Sequence, residues 1–167
     1  PIDLAVRAGR IAPPGPEDAA RTVDGRGAIL LPGLVEAHTH LDKSFLGLPW
    51  QPHGAGAGAG IMGKIENERR LKAKLGLDAA RQSARQVVRS VAMGSTHIRS
   101  HVDIDPDYGL SNLHGVLEAA ERHRHLAGVE IVAFPQTGLL INPGTAGLPR
   151  RLFTVGGREV DVQAAGR

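Results

Sequence analysis

Three apolar segments, each followed by polar residues and separated by segments of helical pattern, constrain the fold of this chain most strongly. The predicted strands lie at residues 29–37, 96–103 and 129–134. The predicted helices, the last two capped by Asp78 and Ser111, lie at residues 61–74, 79–93 and 111–126. Strands and helices that alternate in this way are typical of parallel βα units, in which polar residues at the carboxyl ends of the strands line the active site. The chain is therefore expected to have an α/β fold.

Two histidines, His38 and His40, stand at the end of the first predicted strand. Side chains two positions apart on a strand share one face, so both imidazoles are expected to project together. Neutral imidazole binds zinc, iron and nickel alike, so the pair predicts a metal site and leaves the metal open. The alternative is that both are ordinary surface or core residues, as most of the eight histidines of this chain are expected to be.

The other two predicted strands also end in residues that can take part in chemistry. His101 and Asp103 share a face near the end of the second strand and are candidates for further metal ligands or for an acid/base pair. Gln136 follows the third strand, where its side-chain amide either binds a substrate or caps the loop. The residue pattern alone leaves these alternatives open.

Composition excludes several classes of function. Hydrophobic residues make up 41% of the chain and charged residues 22%, as in ordinary globular proteins. The formal charge of +3 comes from basic residues interleaved with acids, and aromatics reach only 3%, so no nucleic-acid partner is expected. Cysteine is absent, which excludes a thiolate metal site and a cysteine nucleophile. No apolar stretch has the length of a membrane span and no signal pattern opens the chain, so a cytoplasmic location without membrane contact is expected.

The residues before the first strand and a glycine-rich segment after the histidines have the composition of turns and loops. A hairpin is predicted around Ala8-Gly9, a short strand at residues 21–23 and a turn at residues 24–27. Residues 54–60 alternate glycine and alanine and are expected to form a mobile loop. The opening of the chain is therefore expected to be rich in β structure.

Three blocks of sequence resemble the amidohydrolase superfamily, most closely cytosine deaminase and its relatives. The blocks are residues 31–43, 94–103 and 131–138. The resemblance implies an incomplete (β/α)8 TIM barrel of the metal-dependent hydrolase type, preceded by short β-sandwich strands. The implied divisions are part of a small β-sandwich domain at residues 1–28, the first βα units of the barrel at 29–147, and an atypical tail, frameshifted or disordered, at 148–167.

The resemblance implies a role for each candidate residue. His38 and His40 match two ligands of one catalytic divalent metal ion, Fe2+ or Zn2+, which activates a water molecule for hydrolysis of a C–N bond. Gln136 matches the position that hydrogen-bonds the substrate. His101 and Asp103 match positions that support the site rather than bind the metal. The implied substrate is a small cyclic amidine or amide with a pyrimidine-like ring.

Other groups that the family uses have no counterpart in this chain. Two more histidines, a glutamate for proton transfer and a terminal aspartate belong to later strands, and a full barrel takes about 250 residues. The chain is therefore expected to be the amino-terminal portion of such an enzyme, completed by a complementary carboxyl-terminal fragment or by a homo-oligomer. The alternative is a truncated, catalytically inactive remnant with at most weak metal binding. Thr137 replaces an acidic residue that cytosine deaminases can carry, so creatinine-like, pterin-like and triazine-like rings stay candidates.

Overall fold

A computed structural model describes most of the chain, and its internal contacts separate into two units, Pro1–Pro32 and Gly33–Arg167. The described residues are 3–15, 20–52, 60–138, 142, 144–145 and, for the backbone alone, 161–162. Most of the predicted glycine-rich loop and most of the predicted tail lie outside these residues. No helix in this part of the chain is long and apolar enough to cross a membrane.

The first unit contains an antiparallel hairpin. Strands β1 (Ala5–Arg7) and β2 (Arg10–Ala12) pair across a turn at Ala8 and Gly9, which confirms the predicted hairpin. Gly9 has a φ of 74°, a conformation that glycine adopts at little cost. The strand predicted at residues 21–23 is wrong, since these residues pair with no other described strand.

The second unit is built on a parallel sheet in the order β3-β4-β5-β6. Its strands are β3 (Leu34–Thr39), β4 (Ser95–Asp103), β5 (Gly128–Phe134) and β6 (Asp161–Val162). Every neighbouring pair is parallel, which confirms the α/β class predicted from the alternation of strands and helices. The two residues of β6 fall within the predicted tail and pair with β5.

β3 begins at Leu34 rather than at residue 29 because its partner strand starts at the same level. The first pair of the β3–β4 ladder joins Leu34 to Ser95, which is the first residue of β4. None of the described strands pairs with residues 29–33, and Pro32 has no backbone N–H to donate. The prediction included residues 29–33 because most of them are apolar, although none of them pairs with a described strand.

Three α-helices of the described part of the chain lie between β3 and β5. They are α1 (Gly60–Lys74), α2 (Ala79–Ala92) and α3 (Ser111–Arg122). The predicted cap of α2 is confirmed, because the Asp78 carboxylate accepts a hydrogen bond from the Arg81 backbone N–H at 2.7 Å. The helix ends at Ala92, one residue before the predicted end at Met93, and Gly94, whose φ is 97°, follows the C-cap Met93.

α3 differs from the prediction at both ends. Leu110 occupies the N-cap position without a side-chain cap, and the Ser111 hydroxyl donates to the Tyr108 carbonyl at 2.9 Å. The predicted Ser111 cap is therefore wrong. At the other end, the Leu126 N–H donates to the His123 carbonyl at 2.8 Å, so these residues form a turn and do not extend the helix.

An apolar core packs α2 and α3 against the sheet. Its fully buried members include Val87 from α2, Val102 from β4 and Val116 from α3. The two helices approach closely at Gly115, where an added Cβ would lie 2.7 Å from the backbone nitrogen of Ala80. This core packs against β4 and β5, and β3 joins them through its parallel ladder with β4. The parallel registers bring the three carboxyl ends to one edge.

Candidate active site

His38 and His40, called here the histidine pair, lie together at the carboxyl end of β3. Their ring centroids are 5.6 Å apart and their planes are inclined by 75°. Two imidazoles that ligate one tetrahedral metal ion, each through a bond of about 2 Å, place their centroids roughly 5 Å apart. The spacing of the histidine pair therefore fits the binding of one metal ion.

His101, from the neighbouring strand β4, packs onto the histidine pair. Its ring stacks on that of His38 at 4.1 Å, with 28° between the planes, and lies 5.9 Å from the ring of His40. Phe134, at the end of β5, presents an edge at 5.8 Å from His40 and 6.2 Å from His101. The structure thus brings three of the residues singled out from the sequence into contact.

The described residues do not by themselves form a complete metal site. Among them, no group of three histidine, cysteine, aspartate or glutamate side chains is arranged to hold a metal ion. A catalytic zinc ion usually takes three protein ligands, so the histidine pair supplies only part of such a set. The donor type fits both metals that the family resemblance implies, because imidazole suits zinc and iron.

The surroundings of His40 keep its ring neutral. Its Nδ1 atom is buried, has no hydrogen-bond partner among the described residues and lies 4.0 Å from Oδ1 of Asp103. Burial, followed by the charge of Lys43 and by the imidazoles of His38 and His101, lowers the pKa of His40 to about 4. Neutral imidazole is the form that ligates metal ions, so His40 is in that form at neutral pH.

A second polar group, called here the lysine cluster, consists of Lys43, Asp103, Gln136 and Glu68. The Lys43 ammonium donates to both carboxylate oxygens of Asp103, at 3.2 and 3.0 Å, and to Oε1 of Gln136 at 2.8 Å. The carboxylate of Glu68, on α1, lies 3.4 Å from the same nitrogen. Because Asp103 also lies beside His40, the cluster links the histidine pair to Gln136.

A short 3-10 turn, Leu41–Lys43, carries the lysine of this cluster. The Leu41 side chain is buried in the core, and its N–H donates to the Ser100 hydroxyl at 3.1 Å. The buried carboxylate of Asp42 accepts a hydrogen bond from the Asp103 N–H at 3.2 Å. Burial, and then the Asp103 carboxylate, raise the pKa of Asp42 to about 7. These contacts fasten the turn to β4.

A third polar group fixes the loop that contains Gln136. The Thr137 hydroxyl donates to Oδ2 of Asp105 at 2.8 Å. Arg69, on α1, pairs with the same carboxylate and with Asp107 at 3.3 Å. The loops after β4 and β5 are therefore tied to each other and to α1.

Lys43, like Glu68 and Asp42, was not singled out from the sequence as part of this region. Its partners Asp103 and Gln136 lie 60 and 93 positions further along the chain, so no local pattern connects the three. The available signal is its position three residues after His40, near enough to reach the same strand end. The remaining candidates, His101, Asp103 and Gln136, all lie at the carboxyl ends of β4 and β5.

Comparison with known proteins gives a family match over most of the chain. The model of the amidohydrolase family matches residues 21–148. N-isopropylammelide isopropyl amidohydrolase from Pseudomonas sp. (strain ADP) is 30% identical over 142 residues, which are 80% of this chain and 34% of that protein.

Two solved structures are also similar to this chain. N-isopropylammelide isopropylaminohydrolase from Burkholderia multivorans has a TM-score of 0.78 and 42% identity, covering 94% of this chain and 40% of that one. The 5-methylcytosine deaminase from Klebsiella pneumoniae, liganded with 5-fluorocytosine, has a TM-score of 0.67 and 25% identity, covering 94% of this chain and 38% of that one. The chain therefore spans two fifths or less of the length of these relatives.

Proposed function

The chain belongs to the amidohydrolase family, and from this premise we propose that it forms part of a metal-dependent hydrolase site. The proposed reaction is hydrolysis of a C–N bond in a small cyclic amidine or amide. In this site His38 and His40 bind one divalent metal ion, Zn2+ or Fe2+. A metal ion bound there supplies Lewis acidity and activates water as the nucleophile.

The observation that carries the proposal is the spacing of the histidine pair. The two rings lie 5.6 Å apart at the carboxyl end of a strand, the edge of a parallel sheet where α/β enzymes place their catalytic groups. The Asp103 carboxylate faces Nδ1 of His40, and metal-bound histidines are commonly oriented by a carboxylate in this position. His101 stacks on the ring of His38 and restricts the rotation of that ring.

The substrate proposed is a nitrogen-containing ring that Gln136 contacts through its side-chain amide. Two of the relatives are named for N-isopropylammelide and one for 5-methylcytosine. Identity is 42% with the Burkholderia chain and 25% with the Klebsiella chain. N-isopropylammelide is therefore the first substrate to test, and 5-methylcytosine is the second.

The architecture proposed is that of the first βα units of a (β/α)8 barrel, with the hairpin of β1 and β2 belonging to a β-sandwich. Four parallel strands, hydrogen-bonded to one another in sequence order, support the proposal that residues of the second unit form barrel units. A catalytic metal usually takes three protein ligands, so the proposal requires at least one ligand from outside the described residues or from another polypeptide.

A chimeric enzyme tests the proposal, because a relative then supplies the metal ligands that lie outside the described residues. Residues 21–148 of this chain replace the matching segment of the Burkholderia enzyme, and turnover of N-isopropylammelide and 5-methylcytosine is measured. We expect the chimera to turn over one of the two compounds. His38→Ala and His40→Ala in the chimera should each lower kcat/KM at least about 100-fold, since each removes a metal ligand.

The matched control is His125→Ala, which removes an exposed imidazole outside the site and should leave kcat/KM within twofold. Turnover that survives His38→Ala and His40→Ala would contradict the proposal. A folded, metal-loaded chimera without turnover would favour the second candidate, an inactive remnant that binds metal weakly. That candidate is favoured by one observation, the lack of a complete metal-binding group among the described residues.

A further inference from the structure

We propose that Lys43 is a positioning residue that turns the Gln136 amide so that its NH2 group is the donor offered to the substrate. The inference rests on the proposed function, because it takes Gln136 as the residue that contacts the ring. It adds a residue that no sequence feature assigned. It also states which edge of the ring is recognised.

The contacts of Lys43 determine the orientation of the amide. The ammonium has three N–H donors and no acceptor, and it lies 2.8 Å from Oε1 of Gln136. A rotated amide would place its own NH2 group against these donors and lose the hydrogen bond. The amide oxygen must therefore face Lys43, and the NH2 group is turned away from it.

The ammonium itself is held firmly in place. Its side chain is only 10% exposed, and it pairs with both oxygens of Asp103, whose side chain is 1% exposed. Glu68 approaches from α1 at 3.4 Å. A buried charged group that is paired and hydrogen-bonded has few alternative positions. Because Lys43 is paired with Asp103 at the end of β4, it holds the amide oxygen in a fixed position.

The backbone of Gln136 is fixed as well. Its N–H donates to the Phe134 carbonyl at 2.8 Å, and the Gly138 N–H donates to the Pro135 carbonyl at 2.9 Å. Thr137, the next residue, is buried and hydrogen-bonded to Asp105. With both the backbone and the amide oxygen restrained, the NH2 group has one available direction.

A fixed NH2 donor selects the hydrogen-bonding character of the substrate. Its partner must be an acceptor, which on a cyclic amide or amidine is a carbonyl oxygen or an unprotonated ring nitrogen. A ring that presents only an N–H at this edge would meet a second donor and leave a buried polar group unpaired. The site should therefore prefer rings with an acceptor at the edge next to Gln136.

Binding of 5-fluorocytosine, followed by fluorine NMR on the 167-residue chain with and without Zn2+, tests the inference. This compound carries both acceptors, a carbonyl oxygen and a ring nitrogen. Gln136→Glu keeps an oxygen for Lys43 and removes the NH2 donor, so we expect its Kd to rise at least tenfold. Lys43→Met should raise Kd by a similar factor because the amide is no longer oriented.

Three further variants separate positioning from a general structural effect. Lys43→Arg keeps a buried donor and should restore Kd to within threefold of the unaltered chain. The Lys43→Met/Asp103→Asn double variant removes the carboxylate left unpaired in Lys43→Met, and it should fold while still binding weakly. Lys64→Met alters an exposed lysine of α1 and should leave Kd unchanged.

The binding results for 5-fluorocytosine and Zn2+ distinguish a failure of this inference from a failure of the proposed function. Equal or tighter binding by Gln136→Glu would overturn the donor role of the amide. Weak binding by Gln136→Glu with unchanged binding by Lys43→Met would overturn the role of Lys43. No binding by the unaltered chain would overturn the inference while leaving the metal site intact if Zn2+ still binds. If the unaltered chain does not bind Zn2+ at the histidine pair, that result would instead contradict the proposed function.

Discussion

The histidine pair and the lysine cluster lie side by side, but their polar groups differ in the partners that the chain provides for them. Lys43 has three acceptor atoms within 3.2 Å, all supplied by the chain. By contrast, His38 is exposed, and Nδ1 of His40 is buried without a hydrogen-bond partner among the described residues. One half of the site is completed by charged partners within the chain, whereas the imidazoles of the other half are held by ring contacts with each other and with His101.

This difference indicates how stability and binding are divided within the site. Buried charges are costly unless they are paired and hydrogen-bonded, so the lysine cluster must form when the chain folds. The imidazoles of His38 and His40 are exposed and partly exposed, respectively, so leaving them without a metal ion carries a smaller cost. We therefore expect substitutions in the lysine cluster to change stability directly and substitutions in the histidine pair to change it only when metal is present.

The largest effect is expected from Lys43→Met. Removing the ammonium leaves the Asp103 carboxylate buried without its cation, which should lower the free energy of unfolding by about 3–5 kcal/mol. Urea denaturation followed by circular dichroism measures the change. Lys43→Met/Asp103→Asn should recover part of the loss, and Lys64→Met should cost less than about 0.5 kcal/mol. A loss below about 1 kcal/mol in Lys43→Met would show that the cluster is not a stabilising unit.

The second effect is stabilisation by metal. A ligand that binds only the folded chain raises the free energy of unfolding by about 2.7 kcal/mol at one hundred times its Kd. We expect Zn2+ to raise the melting temperature accordingly, and His38→Ala or His40→Ala to abolish the increase. His125→Ala is the control and should keep it. An increase that persists in the double variant His38→Ala/His40→Ala would place the metal elsewhere.

A smaller effect is expected where β3 is attached to α2. The Gln86 side-chain amide donates to the Thr39 hydroxyl at 2.7 Å, which anchors the strand between the two histidines. Gln86→Ala should lower the free energy of unfolding by about 1 kcal/mol, the usual contribution of one hydrogen bond. It should also weaken Zn2+ binding, because the strand end is less ordered. Unchanged Zn2+ affinity in Gln86→Ala would show that this anchor does not position the histidines.

The smallest effect is expected from His38→Ala in the absence of metal. The residue is exposed, and substitutions at such positions usually change stability by less than about 0.5 kcal/mol. The same denaturation measurement, made in the presence of a chelator, gives the value. A loss of 2 kcal/mol or more would mean that the stacking of His38 on His101 is structural, and the contrast between the two halves of the site would disappear.

Sequence pattern predicted the elements that depend on local interactions. The hairpin at Ala8-Gly9, the helix capped by Asp78 and the strands β4 and β5 form at or near the predicted residues. Each of these rests on turn residues, a cap or apolar periodicity within a few positions. The start of β3 and the cap of α3 were mistaken, because the first depends on where β4 begins and the second on the turn at Tyr108.

The candidate site shows the same division. His38 and His40 are neighbours in sequence, so their shared face follows from strand geometry. Lys43 and Gln136 are 93 positions apart, and only the register of three parallel strands brings them together. A hydrogen bond of this kind cannot be inferred from one sequence, since a shift of one strand would separate the partners.

The most direct test of the metal site is a titration of the 15N-labelled 167-residue chain with Zn2+, followed through the imidazole nitrogens of its eight histidines. We expect ligation shifts at His38 and His40 that saturate with one Zn2+ ion bound per chain. His97, His114, His123 and His125 should keep their resonances. Shifts spread over the exposed histidines, or none at His38 and His40 when Zn2+ is in excess, would contradict the proposal that this strand end binds a metal ion.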